Sequence, residues 1–431
     1  MAAALGEPSC AFLRAWPADW ELVDLLHSGC DAVLPPPSRF LHEGLEVQIR
    51  PERGRGLFAR HALSAGELIL ADAPLAVANS MEALVYKACR RRGPAGEEDR
   101  EFRRLFLNLC SDPGKDSARM RAEAEASGVI PLPLAAQIVR RNCHIIDAVP
   151  IDGQMSAGES VCGLWPLASL TNHALHPNVA RFFLGHTLCY RLLSNVSAGE
   201  EIVDNYVDLL MPRSQRIVVL HETHDFSDEG PDACDAPDAL IARLEWQSAK
   251  AESLLREDRR DEALQLLTEA VEPCRGCSCR DPAFTPYFNQ LAAIAGGSSE
   301  DRCRELQRVA LSDALGFATA REPFSVLSCA LAASLLGLAF RTLPAPDRVA
   351  LEQAAREHFR RVYGPSPLLF EALNPTLARW LAAGSPEDES QGPQDPAVPA
   401  HAETQEVGSS VEVGGVKRRR LEEELLPQGV G

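Results

Sequence analysis

A chain of 431 residues, 45% of them hydrophobic, is long enough for two or three domains with full-sized cores. Its formal net charge of −18 argues against general binding to nucleic acid through phosphates, which needs a basic face, and leaves room only for a local basic patch. Met1 to Pro8 carries neither a charged leader nor a sustained apolar run, and no later stretch has 18 uninterrupted apolar residues, so a soluble, non-secreted chain without a membrane span is expected, its thirteen cysteines mostly free thiols.

In residues 1–40, Phe12, Leu13, Trp16, Trp20, Val23 and Leu26 recur at roughly helical spacing before Leu34-Pro-Pro-Pro-Ser38, which reads as a packing helix in an N-terminal extension. At Leu45 the period becomes two: Leu45, Val47 and Ile49 alternate with Glu46, Gln48 and Arg50, the mark of a half-buried strand. Pro51 to Phe58 is a glycine-bearing turn between strands. Leu63-Ser-Ala-Gly-Glu-Leu-Ile69 is echoed by Val196-Ser-Ala-Gly-Glu-Glu-Ile202, a glycine turn feeding a strand, used twice. Between Met81 and Asn142 the pattern is helical and charged, broken at Gly93-Pro94 and Ser127-Gly128, which predicts a helical insertion over about 81–140.

The apolar run Leu164 to Leu170 ends on Asn172 and His173, polar groups in a place where burial is costly unless something binds them. Asn178 to Phe183 and Thr187 to Leu192 predict a hairpin, and a helix is expected from Arg213 to His221, with Phe226 following. Residues 227–238 have the composition of a linker. Five Ala- and Leu-rich helices are predicted beyond it, Ala239 to Leu255, Arg260 to Val271, Arg302 to Leu315, Pro323 to Leu338 and Arg348 to Val362, within a helical domain spanning 239–384. Residues 385–431 are poor in apolar groups and are expected to be disordered; Lys417-Arg-Arg-Arg420 has the form of a nuclear import signal, though such short basic runs also arise by chance. Cys274, Cys277 and Cys279, with Cys234 or Cys303 as a fourth ligand, lack the common two-pair zinc spacing and read first as reduced loop cysteines.

Four motifs in this order, Gly54-Arg-Gly56, Gly163-Leu-Trp-Pro166, Ser169-Leu-x-Asn-His-x-x-x-Pro-Asn178 and Gly199-Glu-Glu-Ile-x-x-x-Tyr206, resemble the SET methyltransferase domain, most closely that of the SET-and-MYND family. Glu357 to Leu368 is similar to the last repeats of that family's C-terminal domain. The resemblance implies an α+β chain: a β-rich SET fold at 41–226 with its helical insertion, an all-α domain similar to TPR repeats, and a disordered tail. It implies S-adenosyl-L-methionine as cofactor and a lysine-bearing tail or loop of a protein as substrate, with no direct nucleic-acid or membrane partner. A monomer working in the cytoplasm or nucleus is expected.

By the same resemblance Arg53, Gly54 and Arg55 lie at the methionine part of the cofactor, Asn142 binds it from before a strand, Asn172 and His173 hold its amino and adenine ends, and Phe226 stacks on the adenine. Tyr206 is the catalytic residue, its hydroxyl orienting the amine and polarising the methyl; a phenol can donate and accept while neutral. Each has a plainer reading: hairpin glycines at Gly54 and Gly56, a helix-ending Asn142, a turn at Asn172-His173, core rings at Tyr206 and Phe226. If the plainer readings hold, the chain is a catalytically inactive SET-like scaffold that binds partners through its helical domain. The sequence also departs from the family. The MYND finger is absent, since only Cys89 and Cys110 lie in the insertion; His144 stands where an apolar or aromatic residue is usual; and Leu175 and Ser227 to Gly230 stand where structural zinc cysteines are expected, so no metal site is assigned.

Overall fold

Strands β1 (Phe40–Leu41), β2 (Leu45–Arg50) and β3 (Gly54–Ala59) begin the chain seen in the computed structural model, which describes residues 39–51, 53–90, 97–110, 115–146, 161–184, 186–208, 210–224, 235–320, 324–342 and 345–364. The expected helix at 11–26, most of the linker, Cys234, Phe226 and the tail lie outside the described residues. The alternation at Leu45, Val47 and Ile49 becomes β2, paired antiparallel with β3 from Leu45 opposite Ala59 to Arg50 opposite Gly54. Strands β4 (Leu68–Asp72), β5 (Ala76–Ala78), β6 (Cys143–Ile146), β7 (Val161–Leu164), β8 (Asn172–His173), β9 (Val179–Leu184), β10 (Thr187–Leu192) and β11 (Glu201–Asp204) complete three small sheets, ordered β1-β4-β10-β9, β2-β3-β11-β8 and β5-β7-β6. The expected hairpin is present, with Thr187 opposite Leu184.

The two echoed turns lie side by side. Leu63 and Val196 exchange backbone hydrogen bonds of 2.9 and 3.0 Å as an isolated antiparallel bridge. Each turn is closed in the same way: the Ser64 N–H donates to Glu67 Oε1 and the Ser197 N–H to Glu200 Oε2, both at 2.8 Å. Gly66 and Gly199 take the positive φ that the turn requires.

The charged insertion is four helices, α1 (Met81–Arg90), α2 (Glu97–Leu107), α3 (Lys115–Ser127) and α4 (Leu132–Asn142). Their apolar stripes bury Leu84, Phe106, Leu134 and Ile138 in one core with Leu57, Leu164, Trp165 and Tyr190 of the sheets. Past α5 (Arg213–His224), six more helices follow: α6 (Asp238–Arg256), α7 (Arg260–Arg275), α8 (Thr285–Gly296), α9 (Asp301–Ala318), α10 (Val326–Thr342) and α11 (Ala345–Tyr363). Helix α8 was not expected from the sequence. Phe288, Leu291, Ala292, Ile294 and Ala295 form its buried face, but the exposed positions Pro286, Asn289, Ala293 and Gly296 include a single polar side chain, so the contrast between the two faces is weak in the sequence.

The last helices lie against the sheet. All six residues of β10 are buried. Leu188, Tyr190 and Leu192 join the core shared with the insertion, while Cys189, with Phe182 and Leu193, packs against Leu336, Phe359, Val362 and Tyr363 of α10 and α11. Arg191 crosses this second interface almost wholly buried and donates to the carbonyl oxygens of Gly66, Val362 and Tyr363, meeting the negative end of α11. No helix among the described residues is long and apolar enough to cross a membrane.

Candidate functional site

The residues singled out in the sequence meet where β3, β8 and β11 run together. Strand β8 is two residues long and parallel to β11, with Asn172 beside Val203 and His173 beside Asp204. The segment leading into it is held by a buried carboxylate: Asp72 Oδ2 accepts the N–H groups of Leu167 and Ala168 at 2.7 and 3.2 Å, while Oδ1 accepts from Arg39 Nε at 2.9 Å. Burial pushes the Asp72 carboxyl up to about 6, against Arg39 and the two N–H groups, which favour its charge. Beyond β8, Asn178 grips β11 from the side, donating to the Glu201 carbonyl at 2.8 Å and accepting the Val203 N–H at 2.9 Å.

Glu201 is the joint of the site. Its Oε1 accepts from Asn172 Nδ2 at 2.6 Å and its Oε2 from Arg53 Nη1 at 2.8 Å. The other terminal nitrogen of Arg53 donates to the His173 carbonyl at 3.0 Å. One carboxylate therefore ties the turn before β3 to the Asn-His pair. The Asn172–Glu201 bond passes directly over Gly56, where a Cβ would come within 2.6 Å of Glu201 Oε1 and 2.9 Å of Asn172 Nδ2. Gly54 differs: its φ is +72° and a Cβ there would meet nothing within 4 Å, so the backbone opens onto free space. The plain reading of the two as hairpin glycines covers Gly54's turn but not Gly56's crowding.

Tyr206 follows β11 and lies against this joint. Its backbone N–H donates to His173 Nδ1 at 3.0 Å and its hydroxyl donates to the Thr171 carbonyl at 2.5 Å. The Thr171 hydroxyl is itself buried with no hydrogen-bond partner among the described residues. The Tyr206 ring is flanked by His173 at 5.3 Å and by His224 of α5 at 4.7 Å, centroid to centroid. Burial, with Asp204 nearby, pushes the Tyr206 phenol above its ordinary value, so the hydroxyl keeps its proton. Burial, followed by the charges of Arg53 and Arg216, lowers His173 to about 4. A neutral ring is what its role requires, because Nδ1 accepts a hydrogen bond.

Asn142 and Arg55 form a second group. Asn142 is both the last residue of α4 and the residue before β6, so both sequence readings describe its position. Its amide is engaged within the chain, donating to the carbonyls of Cys110 at 2.8 Å and Ile138 at 2.7 Å and accepting the Cys110 N–H at 3.2 Å. Arg55 Nη2 reaches Cys110 Sγ at 3.4 Å, and Arg55, Asn108, Pro166 and Ser169 line a shallow hollow open to solvent.

The fold thus brings Arg53, Gly54, Asn172, His173 and Tyr206 to one joint, with Arg55 and Asn142 gathered at Cys110; Phe226 falls outside the described residues. Sequence reading missed Asp72, Glu201, Asp204 and His224. Asp72 and Asp204 carried a usable signal, a charge at a buried strand position, whereas Glu201 sits on the part-exposed side of β11. His224 carried none, because the helix was expected to end at His221 and instead runs to His224. No group of three or more His, Cys, Asp or Glu suited to a metal ion occurs among the described residues; Cys274 and Cys279 are buried, and burial pushes both thiols up to about 12.

Part of the chain is similar to known proteins. The SET domain family model matches residues 54–207. Histone-lysine N-methyltransferase SMYD3 of Mus musculus is 38% identical over 64 residues, 15% of this chain and 15% of its own length. A SET and MYND domain-containing protein of Dictyostelium discoideum is 36% identical over 91 residues, 20% of this chain and 17% of its own. The chain therefore matches well under a quarter of the length of these curated relatives. A solved structure of the SET domain of LSMT bound to lysine and AdoHcy aligns over 86% of this chain and 94% of its own at 13% identity, with a TM-score of 0.24, too low to add to the argument. Residues 54–207 of this chain are a SET domain, similar in sequence to those of the SET-and-MYND proteins.

Proposed function

We propose that this domain transfers a methyl group from S-adenosyl-L-methionine to a lysine side chain of a protein. The observation that carries the reading is the joint at Glu201: Arg53, Asn172, His173 and Tyr206, separated by up to 153 residues of sequence, are tied together beside an open glycine backbone. The name of one relative, a histone-lysine N-methyltransferase, points to the same chemistry.

The residues present fit such a cofactor. The space over Gly54 admits a ligand against the backbone, and the orphaned Thr171 hydroxyl offers a buried hydrogen-bond partner. When bound, the cofactor supplies a methyl carbon made electrophilic by a sulfonium. The chain's own part is positioning. Arg53, Asn172 and the His173 backbone would hold the cofactor's ends, while Asn142 and Asp72 act further out, shaping the walls through Cys110 and the segment before Thr171. Tyr206, kept protonated and anchored to Thr171, would orient the amine in a site that excludes water.

A thermal shift of the whole protein with millimolar S-adenosyl-L-methionine, followed by labelled methyl transfer to a lysine peptide array, tests the reading. Tyr206→Phe is expected to abolish transfer and leave the cofactor-induced shift intact. A protein that shows neither shift nor transfer is the scaffold instead. The monomeric state, cytoplasmic or nuclear location, and division into SET and helical domains near 227–238 belong to the same proposal.

A further inference from the structure

Thr171 comes immediately before the Asn-His pair and is 1% exposed. Its backbone is fully engaged: the N–H donates to the Ala168 carbonyl at 3.0 Å, and the carbonyl accepts the Tyr206 hydroxyl. Its own hydroxyl has no hydrogen-bond partner among the described residues. Other hydroxyls near helical turns of this chain are satisfied locally. Ser169, Thr223, Thr268 and Thr319 each donate to the carbonyl four residues back, at 2.8, 2.6, 2.7 and 2.9 Å. A buried hydroxyl that lacks even this bond weakens the fold, and a ligand that completes it gives a reason for its presence.

Two features of the backbone say which ligand. Covalent geometry keeps a threonine hydroxyl within about 5 Å of its own carbonyl oxygen, and here that oxygen accepts the Tyr206 hydroxyl, so the orphan is a neighbour of the group that orients the amine. Thr171 is also extended, with φ −87° and ψ 126°, and runs straight into β8. Side chains alternate along extended backbone, so Thr171 shares a face with His173, whose ring lies 5.3 Å from that of Tyr206. Asn172 takes the other face, its amide turned to Glu201 over Gly56. The groups assigned to the cofactor's ends and the Thr171 side chain therefore lie on opposite sides of β8.

We propose that the Thr171 hydroxyl accepts a hydrogen bond from the nitrogen of the target lysine, which makes Thr171 a substrate-binding residue; the inference rests on the methyl-transfer reading above. An ammonium or amine brings N–H donors and a hydroxyl oxygen can accept one. With one N–H held by Thr171 beside Tyr206, the nitrogen no longer turns freely about its Cε bond. Its lone pair, once a proton has left, keeps one direction. Thr171 makes and breaks no covalent bond and keeps its own proton throughout.

The test pairs a change in the protein with a change in the substrate. The array peptide that accepts methyl best, and its copy with norleucine in place of the accepting lysine, are titrated into the full chain with saturating S-adenosyl-L-homocysteine. Thr171→Val should bind the lysine peptide about tenfold more weakly and the norleucine copy as wild type does, because norleucine has no N–H to offer. Thr171→Ser keeps the hydroxyl and should stay within about threefold of wild type for both. The hydroxyl has no partner to lose, so Thr171→Val should keep or raise the denaturant midpoint; Thr171→Ala serves if the valine variant does not fold. Equal weakening for both peptides, no weakening for either, or a lower midpoint with valine overturns the role of Thr171 alone. So does a cofactor-induced thermal shift lost in Thr171→Val and kept in Thr171→Ser, which would assign the hydroxyl to the cofactor. Wild type that neither binds cofactor nor transfers methyl overturns the underlying reading as well.

Discussion

The sheet-built region and the helical region after Asp238 reach stability by different means. Around the site the chain buries charge and satisfies it with single, specific partners: Asp72 with Arg39 and two N–H groups, Asp204 with Arg181 and Tyr190, Arg191 with three carbonyls. In the helical region the core is Leu267, Phe284, Phe288, Leu291, Ala310 and their neighbours, and most ion pairs are exposed pairs one helical turn apart, such as Arg304 with Asp301 and Arg308 with Glu305. Asp281 is an exception, a buried carboxylate that accepts the N–H groups of Ala236 and Ala283, and Arg348 is buried as well. Apolar packing tolerates many sequences of similar volume, but a buried charge tolerates one arrangement of its partners. Geometric precision is concentrated in the sheets, beside the residues that need it.

The largest effect of this difference is expected at Asp204. Its Oδ2 accepts from Arg181 at 2.7 Å and from the Tyr190 hydroxyl at 2.8 Å, and Oδ1 accepts the Asn205 N–H at 2.8 Å, all next to the β11 backbone that carries Tyr206. Asp204→Asn keeps the shape and removes the charge that Arg181 and the Tyr190 hydroxyl share. Breaking a buried pair from one side costs about 3–5 kcal/mol. Chemical denaturation should show a loss of that size, and hydrogen exchange should show it first in β8, β9 and β11. A loss below about 1 kcal/mol would mean that the sheets are no more specifically joined than the helices.

A smaller effect follows from His173. Its folded pKa, about 4, lies below the ordinary imidazole value, so the fold favours the neutral ring. The associated stability is fully present above about pH 6.5 and is lost as pH falls towards 4, to a limit of about 3 kcal/mol. Protonation would also take away the acceptor of the Tyr206 N–H. Denaturant midpoints measured between pH 7.5 and 4 should fall in wild type and fall less in His173→Gln. Equal slopes would remove the coupling between His173 and the Tyr206 backbone from the account.

Much of this division was legible in the sequence. The change of period at Leu45, the repeated Ser-Ala-Gly-Glu turns and the Asn-His pair after an apolar run are local patterns, and local patterns survive into structure. The joint at Glu201 was not legible, although Glu201 stood inside a recognised motif, because a carboxylate's partners come from distant strands. Arg53 is 148 residues away and the partner from β8 is 29 away. Helix α8 escaped for a different reason: its exposed face, Pro286, Asn289, Ala293 and Gly296, carries a single polar side chain, so the contrast that makes a helix visible is weak. His224 depended on where α5 ends, and helix ends are the least certain part of any reading by periodicity.

The smallest expected effect is the control that gives the others meaning. Arg308 makes two well-aligned bonds to Glu305 on α9, Nη2 to Oε1 at 2.6 Å and Nε to Oε2 at 2.8 Å, a shorter pair of contacts than several of the buried ones. Distance alone would rank it beside Asp204. Glu305, however, keeps 60% of its side chain exposed, so water and salt screen the pair, and holding two long side chains in one geometry costs entropy. Arg308→Ala also replaces one good helix former with a better one. Stability should therefore change by less than about 0.5 kcal/mol, with no added dependence on ionic strength. A loss above about 1 kcal/mol would show that the helical region, too, relies on specific polar joints, and burial would no longer separate the two regions.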